Sequence, residues 1–138
     1  KRDGYQGALI LTAQGKVSEA SGACFFMVRD GKLITPDLTS DILESITRDT
    51  IIRMGRELGL EVIERSVDRN EIYLAEEAFC CGSGWEIIPA IEVDRLAVGD
   101  GKPGPVTRRI QDSYFALVRG EVKGNQPDHR EWRRAVWD

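Results

Sequence analysis

Three short stretches carry the residue types from which a binding site can be built. The first is Ser45-Ile46-Thr47-Arg48, near the head of the run ILESITRDTIIRMGRELG. From Ile51 onward the apolar residues fall at Ile51, Met54 and Leu58, with Gly55 on the same side, which is the spacing of a helix with one buried face. Two hydroxyls therefore stand where the first N–H groups of a helix are unpaired and its dipole is positive, a place that attracts an anion. Ser45 can equally serve as a plain N-cap. The second stretch is Gly82-Ser83-Gly84 in CCGSGWEIIP. Its glycines suit a tight turn between strands with φ > 0, or a close backbone approach by a ligand to which Ser83 donates a hydrogen bond. The spacing is not that of the G-x-S-x-G nucleophile elbow. The third is Glu19 in KVSEASGACFF, a polar segment between two apolar runs. An acid there is a solvated turn residue or, if buried, one that needs a cationic partner, which the chain itself does not identify.

Other motifs point elsewhere. Gly99, Gly101 and Gly104 in GDGKPGP satisfy G-x-G-x-x-G, but Pro103 and Pro105 remove N–H groups from the loop that would cradle a pyrophosphate, and no βαβ pattern surrounds it. The stretch reads better as a turn that ends with Pro105 at the first position of a helix. His129 is the only histidine and lies in a polar tail, so a histidine triad or a multi-histidine metal site is hard to build, and His129 is expected at the surface. No metal ligands are assigned. Cys24, Cys80 and Cys81 cannot all pair, and the adjacent two lack CxxC spacing; buried free thiols in a reducing compartment are expected.

The elements that must position these residues follow from periodicity and turn chemistry. Residues 7–13 read as a buried strand, 23–29 as a second and 32–35 as a third. A helix over about 46–58 leads into an alternating strand over 61–66. Next come a helical turn near 69–73 and strands over 78–82, 85–93 and 96–98. A second helix over 106–119 carries Val106, Ile110, Tyr114, Leu117 and Val118 on one face. After Gly120 the tail is polar, with Trp132 and Trp137 as its large anchors. Helix followed by strand implies α/β organisation. The 138 residues form about one domain, 41% hydrophobic and 30% charged with net charge -4, so no global field draws nucleic acid or anionic lipid. No apolar run approaches the roughly 18 residues of a membrane span, and a soluble, cytoplasmic protein is expected. GYQGALILTAQG runs into a strand with no initiator methionine before it, which suggests a piece of something longer.

Glu19, then Ser45-Ile46-Thr47-Arg48, then Gly82-Ser83-Gly84 occur in an order that matches a family. With GYQGALILTAQGKVSEASGACFFMVRDGKLITP, ILESITRDTIIRMGRELGLEVIER, IYLAEEAFCCGSGWEIIPAIEVD and VGDGKPGPVTRRIQDSYFALVRGE, the chain resembles the large, C-terminal domain of fold-type IV pyridoxal-phosphate enzymes, most closely branched-chain amino-acid aminotransferases. The fold implied is α/β, a mixed, partly barrel-like sheet with flanking helices, as in the large domain of the D-amino-acid aminotransferase-like fold. Residues 1–121 would form the cofactor-binding domain and 122–138 its C-terminal tail. The resemblance implies that Glu19 pairs with the pyridine nitrogen of pyridoxal 5'-phosphate. It implies that Ile46 and Thr47 hold the phosphate by backbone N–H groups and a hydroxyl, with Ser83 as a second hydroxyl donor, and that Gly84 offers backbone N–H groups to the substrate carboxylate. The activity implied is transfer of an amino group between branched-chain amino acids and 2-oxoglutarate.

D-amino-acid aminotransferases and aminodeoxychorismate lyases share the fold and stand as alternatives; a non-catalytic binding or interaction domain is the alternative of another class. The partners implied are a small-molecule amino acid and 2-oxo acid, without nucleic acid or membrane, and a second copy of the chain in a homo-oligomer, a dimer. Relatives commonly carry glycine where this chain has Ser45, and asparagine where it has Cys24. If the helix start requires φ > 0, Ser45 is strained by about 1 to 3 kcal/mol and the phosphate site is loosened. The family's Schiff-base lysine precedes the position of Gly4-Tyr5, and none of Lys1, Lys16, Lys32, Lys102 or Lys123 occupies its place. No catalytic residue is therefore assigned in this chain, which is expected to be inactive alone.

Overall fold

A computed structural model describes residues 3–134. Its organising feature is a five-stranded mixed sheet in the order β5-β4-β3-β6-β7. The hairpin of β3 (Cys24–Arg29) and β4 (Lys32–Thr35) turns through Asp30 and Gly31, both at positive φ, where a two-residue turn matches the twist of its strands. Helix α1 (Ile46–Glu57) then returns the chain to β5 (Val62–Glu64), which runs parallel to β4. Gly55 lets α1 lie close to the sheet: a β-carbon there would meet Val62 Cγ2 at 3.1 Å and Leu33 Cδ2 at 3.2 Å. A 3-10 segment (Arg69–Leu74) leads to β6 (Glu77–Gly82), antiparallel to β3, and on to β7 (Glu86–Pro89).

Alternation along β3 and β6 divides the core in two. Cys24, Phe26, Val28, Phe79 and Cys81 face α1 and helix α2 (Pro105–Arg119). The cross-strand partners Phe26 and Phe79 stack with centroids 5.0 Å apart on that side. Phe25, Met27, Ala78 and Cys80 face the other side, against β2 (Val17–Ala20), Val67 and Ile72. As predicted, the fold is mixed α and β, and α1 buries Ile51 and Met54, with Leu58 beneath its C-terminal end.

Four elements differ from the sequence reading. The strand expected over 7–13 is neither as long nor as buried: β1 is only Leu9–Leu11, and Ile10 and Leu11 stay exposed because β1 pairs with β2 alone, outside the main sheet. β2 lies where the sequence reads as a polar turn segment, since its serine and glutamate mask a strand whose Val17, Ser18 and Ala20 are buried. The run over 85–93 is two strands, because β7 ends at Pro89 and β8 (Glu92–Val93) pairs instead with β9 (Leu96–Ala97) through a turn in which Asp94 and Arg95 both have positive φ. On α2 the buried stripe is Thr107, Ile110, Ser113 and Leu117 while Val118 is half exposed; the two polar members of that stripe are invisible to an apolar periodicity. Trp132 packs against the core and Trp137 lies outside the described residues.

Candidate functional site

Helix α1 starts without strain. Ser45 is its N-cap at φ -99°, and its side chain accepts a hydrogen bond from the Arg48 N–H at 3.3 Å. The strained entry expected from a non-glycine residue is thereby corrected: extended backbone at this position suits serine as well as glycine. One of the first N–H groups of the helix is satisfied in this way. Among the described residues the N–H groups of Ile46 and Thr47 have no acceptor, and the Thr47 hydroxyl makes no hydrogen bond to the protein. Ile46 itself points outward, 88% exposed, whereas Thr47 is buried.

Arg48 holds this start in place. Its guanidinium, buried with the side chain, donates to the Pro36 carbonyl at 2.9 Å and to Glu64 Oε2 at 3.0 Å, tying the first turn of α1 to the end of β4 and to β5. The sequence reading assigns Arg48 no role. The available signal is its position three and four residues before Ile51 and Ile52, which puts it on the buried face.

Glu19 lies on β2, half-buried, and its Oε2 accepts the Leu43 N–H at 3.0 Å. It is therefore a strand residue, and no cation pairs with it among the described residues; Oε1 keeps its acceptor capacity. Cys24 connects Glu19 to the rest. Its thiol lies beside Cys81 and Ser45 and within the fields of Glu19 and Arg48. One side chain is thus surrounded by β2, the head of α1 and the far end of β6.

Ser83 and Gly84 follow at that end, in the turn between β6 and β7, both exposed. A β-carbon on Gly82 would meet the Gly22 carbonyl oxygen at 3.1 Å, so glycine is needed there for close approach of the β2–β3 connection. Around Gly84 nothing lies within 4 Å of such an atom, which leaves its backbone open. The expected φ > 0 at these glycines is not found. Glu86 carries it instead, at 54°.

The remaining motifs are accounted for structurally. Pro105 opens α2 as predicted, with Gly104 as N-cap, and the helix head is occupied: the buried Glu77 carboxylate accepts from the Val106 N–H at 3.0 Å and the Thr107 N–H at 2.7 Å. GDGKPG therefore wraps an internal carboxylate. His129, expected at the surface, is half-buried. It stacks on Trp132 with centroids 3.6 Å apart and sets Nε2 against Glu57 at 2.9 Å, fastening the tail to α1. No group of three or more potential metal ligands occurs among the described residues, and no helix among them is long and apolar enough to cross a membrane.

The sequence model of one family, amino-transferase class IV, matches residues 1–93. The branched-chain-amino-acid aminotransferase of Escherichia coli (strain K12) is 46% identical over 123 residues, covering 89% of this chain and 40% of that protein. The crystal structure of the branched-chain amino acid aminotransferase from Thermobaculum terrenum in its PLP-form superimposes with a TM-score of 0.85 at 56% identity, covering 88% of this chain and 40% of that one. The branched-chain aminotransferase from the thermophilic archaeon Thermoproteus uzoniensis, crystallised with norvaline, gives a TM-score of 0.83 at 43% identity, over 87% of this chain and 39% of that one. The chain thus spans about 40% of the length of the curated relatives it matches.

Proposed function

The chain belongs to the amino-transferase class IV family, and from that premise we propose that it forms the cofactor-binding part of a pyridoxal-phosphate-dependent aminotransferase acting between branched-chain amino acids and 2-oxoglutarate. The observation that carries this reading is the unfilled head of α1, where two N–H groups and the Thr47 hydroxyl have no partner among the described residues. The residues present fit the cofactor. Ile46 and Thr47 hold its phosphate by N–H groups at the positive end of a helix dipole, and the Thr47 and Ser83 hydroxyls add donors to it. Glu19 offers its Oε1 to the ring nitrogen, and a carboxylate there keeps that nitrogen protonated by favouring the charged form. When bound, the cofactor supplies a ring that accepts electron density from the α-carbon of the amino acid. The open backbone at Gly84 orients the substrate by its carboxylate.

In this reading the chain binds and orients, and none of its lysines acts on the substrate. Lys16 and Lys32 are paired with Asp68 and Glu61, and Lys102 and Lys123 are exposed. The substrate class follows the names of the relatives, which favour branched-chain amino acids over the D-amino-acid and lyase alternatives. Leu43 and Ile46, 70% and 88% exposed beside the proposed phosphate site, are apolar surface of the kind that associates with a second copy.

Titration of the chain with pyridoxal phosphate and with pyridoxal tests the reading. The phosphate ester is expected to bind more tightly and to be displaced by inorganic phosphate; equal affinities would remove the phosphate site from α1. Light scattering on the same samples is expected to give a dimer, and a monomer at every concentration would refute the association.

A further inference from the structure

The three cysteines are not equivalent. Cys24 and Cys81 stand directly opposite each other on the antiparallel strands β3 and β6, and both belong to the core facing α1 and α2. Cys80 points to the opposite face of the sheet. Directly opposed residues of an antiparallel pair have Cα atoms about 4.5 to 5.5 Å apart with side chains on one face, inside the span of about 4.4 to 6.8 Å that a disulfide bridges. Directly opposed β-carbons lie about 4.5 to 5.5 Å apart, so an approach of about 1 Å reaches the roughly 3.5 to 4.5 Å typical of a disulfide.

The surroundings differentiate the two thiols. The Cys81 thiol beside Cys24 stabilises the Cys24 thiolate; burial opposes this, the Ser45 hydroxyl adds to it, Glu19 opposes it and Arg48 assists, so that Cys24 is held below the ordinary thiol range. Cys81 is pushed far up by that same contact and by burial, and keeps its proton. Burial, with a smaller contribution from Cys24, pushes Cys80 up to about 12. Cys24, the less deeply buried of the two and the one beside the Ser45 hydroxyl and Arg48, takes the part of the nucleophile, and its cross-strand neighbour that of the resolving thiol.

We propose that Cys24 and Cys81 form an oxidisable dithiol whose oxidant is a small peroxide, closing to an intramolecular disulfide across β3 and β6. Cys24 is only 3% exposed and Cys81 0%, which favours an oxidant the size of hydrogen peroxide over a bulky disulfide. The Cys24 thiolate attacks one peroxide oxygen, the O–O bond breaks, and hydroxide leaves, giving a sulfenic acid at Cys24. Cys81 then attacks that sulfur. Its S–H proton goes to the departing hydroxide, which leaves as water, and the S–S bond forms. In sum, two thiols lose two electrons and two protons, and hydrogen peroxide is reduced to two waters. Neither step depends on the cofactor reading.

The test treats the native chain with dilute hydrogen peroxide near neutral pH, alkylates the remaining thiols in denaturant and maps the peptides by mass spectrometry. The expected product is one linked Cys24–Cys81 peptide with Cys80 alkylated, and dithiothreitol is expected to return all three cysteines to the alkylated pool. The oxidation rate should rise with pH below the range of an ordinary thiol. In Cys81→Ala, dimedone should trap the sulfenic acid at Cys24. A linkage containing Cys80, a disulfide between chains, or three alkylated cysteines under conditions that oxidise a free thiol peptide would overturn the proposal, and the first mapping needs no variant.

Discussion

Helices α1 and α2 both pack on the same half of the core, yet they treat their positive heads in opposite ways. At α2 the Glu77 carboxylate, itself buried, spans the N–H groups of Val106 and Thr107. The fit is close enough that a β-carbon on Gly104 would lie 2.1 Å from Glu77 Cδ. At α1 the cap is neutral: Ser45 satisfies one N–H, and those of Ile46 and Thr47 have no partner among the described residues. A helix head is a fixed site of partial positive charge. Filled from within, it becomes a structural joint. Left open, it keeps its capacity for an anion from outside, and the proposed phosphate site rests on that difference.

Glu77→Ala should break the joint with the largest effect. It removes two charge-assisted hydrogen bonds in a buried setting and leaves two N–H groups desolvated, a loss of about 3 to 5 kcal/mol. The urea midpoint should fall accordingly, with no change in the relative affinities for pyridoxal phosphate and pyridoxal. A stability loss below about 1 kcal/mol would mean that water replaces the carboxylate and that α2 does not depend on it.

How much of this contrast is legible in the sequence depends on which side of it one considers. Helix α1 can be read because Ile51, Met54, Gly55 and Leu58 give a periodic face and because Ser45 and Thr47 mark its start. Pro105 likewise marks the start of α2. What fills that head cannot be read, since Glu77 is 28 residues before Pro105 in the chain and meets it only through the path of β6. The same holds for Arg48 and Glu64, and for the opposition of Cys24 and Cys81, which is a matter of strand register. Strand β2 is hidden because a serine and a glutamate occupy two of its four positions. Glu19 stands out by its residue type, while its setting on a strand does not. Residue types mark the candidate site; long-range pairing decides which of its charges are already spent.

Thr47→Ala sharpens the comparison from the α1 side. The hydroxyl makes no hydrogen bond among the described residues to lose, so folding stability should fall by no more than about 1 kcal/mol, the worth of the buried γ-methyl removed with it. Binding of pyridoxal phosphate should weaken by about 1.5 to 3 kcal/mol, the worth of a hydrogen bond to a charged acceptor, or roughly tenfold or more in Kd. The result that counts against an open anion site is a destabilised helix with unchanged affinity.

The smallest effect is expected at Ser45, and it is the most discriminating. If Ser45 is a neutral cap on a helix start with ordinary backbone, Ser45→Ala should cost about 1 kcal/mol and Ser45→Gly only a few tenths. Glycine, which the family resemblance leads one to expect at this position, would then be one of two acceptable solutions to the same geometry, because φ of -99° makes no demand that only glycine meets. The two variants should differ in urea midpoint and agree in the preference for pyridoxal phosphate over pyridoxal, since the N–H groups of Ile46 and Thr47 remain in both. A Ser45→Gly protein more stable than the parent would reveal strain at the helix start after all; loss of the phosphate preference in both variants would show that the serine hydroxyl, and not the open N–H groups, is what receives the anion.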